Sequence, residues 1–325
     1  MNRVDRLICH VLPKAFLMAL TAGGRLAELK IVRRDRPNHT DSIFLGRLER
    51  VMPELDAAFV DIGIGRSGFL RAADRAGIDD WLPPGAPLLV QVRNDDEGEG
   101  ENAKGPRLSM NLAVTGRYLV YHPVGAGVSF SRRIESESER DRLRGHVEGL
   151  LEGGIVLRTA AAGATLDVLR VDATAIMERW EKIRRQAFDS PPPADLTAHI
   201  SGERDPIARA LRDHGATLEE VILDDRAMAR SLQDEMDRAG EKIRVRWHNG
   251  AMPAFDIDDV AGQIDTALAD RIALTSGVEV LFEPGETLCA VDVDSAAARG
   301  QSRSISRPLR RSPSNSACAI SRAPW

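Results

Sequence analysis

The sequence predicts a multidomain chain of mixed class, part α+β and part α/β. Three observations carry that expectation. Residues 41–114 hold short β-like runs at close intervals, with no helical period between them. Residues 135–188 contain two long helical patterns around one short apolar run. Residues 198–250 alternate helix and strand patterns, as in a sheet with crossover helices. At 325 residues, the chain has length for two or more domains with real cores.

Taken in order, GRLAELKIVRR reads as a strand with Leu26, Leu29 and Ile31 apolar, followed by a polar, proline-bearing link up to His39. From Asp41, the runs DSIFLGRLERV, AAFVDIG, SGFL and PLLVQVRND are separated by the turn-rich MPELD and GIGR, and read as a small closed barrel. Gly63, Gly65 and Gly68 spell G-x-G-x-x-G. A dinucleotide fingerprint needs a helix to open there, but SGFL continues as strand, so the glycines are read as a tight turn. A very acidic, glycine-rich loop, DDEGEGENAKGP, precedes RLSMNL. GRYLVYHPVGAGVSFSRRI is strand-like, and ESESERDRLRGHVEGLLEG reads as a helix with Glu135, Glu137 and Glu139 near its positive end. GGIVLRTAAAGA reads as a buried strand ending in Arg158-Thr159. The helix of residues 166–188 is read with Val168, Val171, Ile176, Trp180 and Ile183 inward, and SPPPADL ends it. Past the alternating segment, MPAFDIDDVAGQIDTALADRIAL reads as one more helix and GVEVLFEPGETLCAVDVDS as a hairpin.

Hydrophobic content of 43% with 29% charged residues is that of a soluble globular protein. The longest apolar run, Val11–Ala22, is interrupted by Pro13 and Lys14, which excludes a membrane span there. The N-terminus lacks the pattern of a signal peptide. Cys9, Cys289 and Cys318 form no C-x-x-C and the histidines are scattered, which argues against a disulfide framework or zinc site and for a reducing, cytosolic setting. The net charge of −5 disfavours a generic nucleic-acid binder; removing the five arginines of the acid-free tail, residues 302–325, leaves −10. RNA binding by such a body requires local basic patches.

Three groups of residues carry candidate chemistry. Asp292 and Asp294 sit two apart in TLCAVDVDS, so on an extended chain they share a face at what reads as the end of a buried strand. Paired carboxylates repel unless compensated, which suits a hard cation such as Mg²⁺; a polar strand end running into a solvated loop has the same pattern. Phe59 and Phe69 bracket the glycine turn. They are either core or a stacking platform for single-stranded bases, with Arg66 and Lys104 adding positive charge. Arg158-Thr159 alone reads as a surface pair.

GRLAEL, AAFVDIG…GFL, GRYLVYHP, SRRIESESERDRL, VLRTAAAGA, MPAFD and AVDVDSA occur here in this order, across residues 24–301. The ordered set resembles the ribonuclease E/G family of bacterial endoribonucleases. The resemblance implies an RNase H-like part (1–39 and 198–275) interrupted by an OB-fold RNA-binding barrel (40–114) and a 5′-sensor region (115–197). A DNase I-like catalytic domain then begins at 276–301. It implies Phe59, Phe69 and Lys104 as RNA-binding residues and Arg158 and Thr159 as the 5′-phosphate pair. It also implies Asp292 as the Mg²⁺ ligand, with Asp294 in a supporting catalytic role where better-known members carry Asn. The implied reaction is Mg²⁺-assisted hydrolysis of single-stranded RNA in RNA processing or decay, in the cytoplasm.

The resemblance implies that the site is completed by a second Asp on a later strand, which these 325 residues do not include, so impaired cleavage is expected; the alternatives are a non-cutting RNA-binding protein or a non-functional fragment. Nor does the cysteine pair that links subunits through zinc occur, so a homo-oligomer would need another route. The tail, SRSISRPLRRSPSNSACAISRAPW, reads as disordered. It is either a natural basic tail or an out-of-frame translation, since a shifted frame permits SFDQPAFAAIAKQLRLRNLAGA; the coding DNA decides between them.

Overall fold

The computed structural model describes residues 3–33, 35, 38–95, 105–198, 205–274, 277–285 and 288–294. The tail and Lys104 lie outside these residues. Among the described residues the architecture is mixed α and β, with four sheets. The chain opens as an antiparallel meander of β1 (Arg6–Val11), β2 (Ala15–Ala22) and β3 (Arg25–Arg33). The turn between β2 and β3 needs two positive φ angles, which Gly23 (58°) and Gly24 (76°) supply without strain.

The barrel follows, built from β4 (Ile43–Met52), β5 (Ala57–Asp61), β6 (Gly68–Arg71), β7 (Pro87–Asn94) and β8 (Arg107–Ser109). Because β4 pairs with both β5 and β7, the order β4-β5-β6-β8-β7 closes on itself. Phe44, Leu48, Ala58, Val60, Leu70, Val90 and Leu108 fill its interior. So small a barrel leaves no room at Gly68, where a Cβ would lie 2.4 Å from Leu108 Cδ1. Gly63 and Gly65, at φ 79° and 82°, make the turn into β6, and no helix opens there. That agrees with reading the glycines as a turn.

A four-stranded sheet of β9 (Val114–Thr115), β10 (Leu119–His122), β11 (Val128–Phe130) and β12 (Gly154–Leu157) comes next, in the order β11-β12-β10-β9. Two helices pack on it, α1 (Glu137–Val147) and α2 (Leu166–Asp189). Helix α1 is shorter than expected: Ser136 caps it, accepting from Glu139 N, and Glu135 falls outside. Helix α2 buries Leu169, Ala173, Ile176, Trp180 and Ile183. The expectation that Val168 and Val171 point inward is wrong; they are 38% and 71% exposed. At 3.6 residues per turn, Val171 lies roughly 140° around the helix from Ile176.

Two carboxylates lock this unit. Asp172 on α2 accepts from the backbone N–H groups of Arg117, Tyr118 and Leu119, each at 2.9 Å. Its carboxylate comes so close that a Cβ on Gly116 would lie 2.5 Å from Oδ2. Asp172→Ala leaves three amides without that acceptor and is expected to cost roughly 2–4 kcal/mol, read as a lower denaturant midpoint. Glu139 accepts from Arg142 Nε and Nη2 (2.8 and 2.7 Å) and from Gly163 N (2.8 Å). The Arg142 hydrogen bonds first, then the Gly163 amide, hold its carboxyl down at about 2. The depressed carboxylate stabilises the fold above its ordinary pKa of 4.5, and that contribution is lost as pH falls toward 2. The thermal midpoint of Glu139→Gln should therefore fall less steeply than wild type across that window.

After α2, β13 (Ala194–Asp195) returns to pair with β4 of the barrel. Then α3 (Pro206–His214), β14 (Glu220–Leu223), α4 (Arg226–Ala239) and β15 (Arg244–Trp247) complete the first sheet, in the order β15-β14-β1-β2-β3. Here β14 is parallel to both β1 and β15. One sheet is thus assembled from two distant stretches of chain. Helices α3 and α4 cover one face, and Ala254, Phe255 and Val260 cover the other. The helix read over residues 252–274 is broken, because Asp258 and Asp259 have φ 56° and 52° and only α5 (Val260–Leu268) is regular.

The last sheet orders β16 (Arg271–Ala273), β17 (Glu279–Pro284) and β18 (Cys289–Asp294). The expected hairpin is β17–β18. The expected burial of its second strand is not found: Leu288, Val291 and Val293 are 68%, 56% and 49% exposed. Strand β18 is an edge of its sheet, with residues 290–294 exposed. No described helix is long and apolar enough to cross a membrane.

Candidate nucleic-acid interface and metal site

The outer face of the barrel carries one continuous row of side chains. In the strand register Arg50 on β4 faces Phe59 on β5, Phe59 faces Phe69 on β6, and Phe69 faces Arg107 on β8. Residues directly opposite in adjacent strands share a face. The alternation that sends Ala58, Val60 and Leu70 inward sends Phe59 and Phe69 out, where both are half-buried. Both rings therefore lie outside the barrel's buried interior, on its outer face. The rings meet edge to face, centroids 5.6 Å apart, and the Arg50 guanidinium sits 4.8 Å from the Phe59 centroid. Asp74 holds Arg71 (2.9 Å) and Arg107 (3.1 Å) beside the row. Two rings between two guanidiniums offer flat apolar surface for bases and positive charge for the backbone around them. Arg66 is exposed on the glycine turn and already makes an interaction of its own.

Arg158 and Thr159 follow directly after β12. The Arg158 fork is engaged within the fold: Nη1 donates to Gly116 O (2.8 Å) and Nη2 to Asp213 Oδ1 (2.9 Å). Burial raises the pKa of Asp213, but the cations of Arg212 and Arg158 outweigh it and hold the carboxyl below its usual range. Arg158 thus meets a charged carboxylate that any phosphate must share or displace. The Thr159 hydroxyl is exposed and bonds the Ser131 hydroxyl at 2.8 Å.

Asp292 and Asp294 lie on the exposed edge strand β18, opposite Leu281 and Glu279 of β17. Asp292 Oδ1 accepts from Val293 N at 2.9 Å. Among the described residues, no three His, Cys, Asp or Glu side chains gather as a metal cage. The donor set is therefore an all-oxygen pair open to water. Such a pair is compatible with Mg²⁺, which keeps most of its water and takes one or two carboxylates, and fits zinc poorly.

The structure brings Phe59 and Phe69 together on the barrel, while Arg158-Thr159 follow a strand of a second sheet and Asp292-Asp294 lie on a third. Sequence reading missed Arg50, Arg107 and Asp213. The first two needed the strand register; the third is 55 residues from Arg158, with no local signal.

Comparison with known proteins gives a consistent picture. The model of the Ribonuclease E/G family matches residues 113–322, through Asp292 and on into the basic tail. Ribonuclease G of Haemophilus influenzae is 31% identical over 316 residues, covering 90% of this chain and 63% of that protein. Ribonuclease G of Escherichia coli K12 is 32% identical over 316 residues with the same coverage. Ribonuclease E of a Nostoc species is 33% identical over 273 residues, covering 78% of this chain and 39% of that protein. The chain thus spans 63% of the length of the ribonuclease G relatives. On these matches it belongs to the ribonuclease E/G family.

Proposed function

We propose that the chain is a Mg²⁺-dependent endoribonuclease acting on single-stranded RNA in RNA processing or decay. The observation that carries this reading is the row Arg50–Phe59–Phe69–Arg107. Its rings are spaced for stacking and its guanidiniums flank them, which suits a flexible strand whose bases can turn outward. On this reading the barrel is an OB-type module, the sheet β9–β12 with its helices is a 5′-sensor, the split five-stranded sheet is RNase H-like, and β16–β18 begin a DNase I-like part.

Each group then has a task. Phe59 and Phe69 stack on bases while Arg50, Arg107 and Lys104 attract the backbone. Arg158 and Thr159 bind a 5′-phosphate, with the guanidinium fork and hydroxyl as donors. Asp292 holds Mg²⁺, and Asp294, on the same strand face, supports it. When bound, the ion would activate water for in-line attack and offset charge on the phosphate. Cys9 is a buried thiol, which suits a reducing, cytoplasmic setting.

A second reading, an RNA-binding protein that does not cut, is favoured by the exposure of β18, which leaves the Asp292-Asp294 pair in open solvent. Incubating 5′-monophosphorylated single-stranded RNA with the chain, in Mg²⁺ and in EDTA, separates them. Cutting in Mg²⁺ alone is expected; salt-dependent binding without cutting supports the second reading, and neither binding nor cutting overturns both.

A further inference from the structure

The seam between the barrel and the four-stranded sheet holds a cleft of about 270 Å³, lined by Arg93, Asn111, His122, Gly125, Ser129 and Gly154 among others. It continues the barrel row. Arg107 faces Asn94 on β7, and Arg93 stands at the irregularity beside it. The Arg93 side chain lines the cleft and donates from Nη2 to Asn111 O. At the other end, Ser129 on β11 is two residues from Ser131, whose hydroxyl bonds Thr159. The cleft thus has a strand neighbour of Arg107 on one side and a strand neighbour of Ser131 on the other.

We propose that this cleft is a ribonucleotide subsite, in which the Arg93 guanidinium takes a backbone phosphate and His122 Nε2 accepts the 2′-hydroxyl of the same strand. The proposal rests on the reading of the barrel row as an RNA platform and names one further position along it.

The chemistry of the two side chains differs in the required way. His122 Nδ1 lies 3.0 Å from Leu112 O, a group that only accepts, so this nitrogen carries the proton. Burial first, and the Arg93 cation in addition, keep the His122 pKa below its ordinary value despite the Leu112 hydrogen bond. At neutral pH the ring is uncharged and Nε2 presents a lone pair. A lone pair repels a phosphate and selects a donor, and of the sugar groups along a nucleic-acid strand, only RNA offers a 2′-hydroxyl. Arg93 supplies the cation, and one of its five donors is used on Asn111 O.

The test compares binding of the full chain to one single-stranded sequence as RNA and as DNA. Wild type is expected to prefer RNA. His122→Phe should lower RNA affinity about two- to tenfold and leave DNA affinity unchanged. Arg93→Ala should weaken both and reduce the salt dependence. A scan of single 2′-deoxy substitutions on wild-type protein needs no variant to fold, and one position should carry the loss. Equal wild-type affinity for RNA and DNA, a deoxy scan with no sensitive position, or an equal effect of His122→Phe on both strands overturns the subsite. So does AMP binding as tightly as the oligonucleotide, which would assign the cleft to a free nucleotide. If Phe59→Ala weakens RNA binding while His122→Phe does not, only the subsite falls. If wild type binds no RNA, the platform falls with it.

Discussion

Alanine at both Phe59 and Phe69 is expected to lower affinity for single-stranded RNA by about 30-fold or more, at about 1–3 kcal/mol per stacked base. The rings project from the outer face of the barrel, so the fold should tolerate their loss. What the protein itself forfeits is the edge-to-face pair at 5.6 Å, about 0.5–1.5 kcal/mol beyond area burial. Fluorescence anisotropy with a labelled oligonucleotide measures the affinity, and far-UV circular dichroism confirms that the variant is folded. Leu70→Ala makes the contrasting control. That side chain is fully buried in the barrel, so its truncation should cost about 2–5 kcal/mol of stability. A double alanine variant that remains folded and binds RNA as wild type does would contradict the platform.

The second large effect is expected at Asp292. Asp292→Ala should reduce Mg²⁺-dependent cleavage roughly 10²-fold or more, the scale for removing one electrostatic stabiliser of a transition state. RNA affinity should stay unchanged, because β18 belongs to a different sheet from the barrel strands that carry the stacking row. Stability should also be unchanged, since the carboxylate is exposed and accepts from the adjacent Val293 amide. Asp294→Asn keeps an oxygen donor and should lower the rate far less. Cleavage that survives Asp292→Ala would remove this residue from the chemistry.

The barrel was legible because residues 58–61 and 68–71 alternate and the turn between them carries glycine. The same alternation contained the answer for Phe59 and Phe69, since Ala58, Val60 and Leu70 claim the inner positions. Arg50 and Arg107 were not legible. Their place in the row depends on a register shift between Leu48 and Arg50 and on the parallel pairing of β6 with β8, both settled by packing across the barrel. Arg158 was visible as a candidate, but Asp213 was not, because α3 meets it only after the first sheet closes through β14. The apolar alternation of β18 signalled a strand and said nothing about what covers it. Val168 and Val171 show the related error on a helix, where apolar character was taken for inward orientation. Periodicity anchored on Ile176 and Trp180 assigns the face correctly.

The central claim is that RNA lies along Arg50–Phe59–Phe69–Arg107. Ultraviolet cross-linking of a uridine-rich oligonucleotide to the full chain, followed by mass spectrometry of the peptides, tests it most directly. The account predicts adducts at Phe59 or Phe69, lost on competition with unlabelled single-stranded RNA. Adducts confined to other parts of the chain, with these two peptides unmodified, would contradict it.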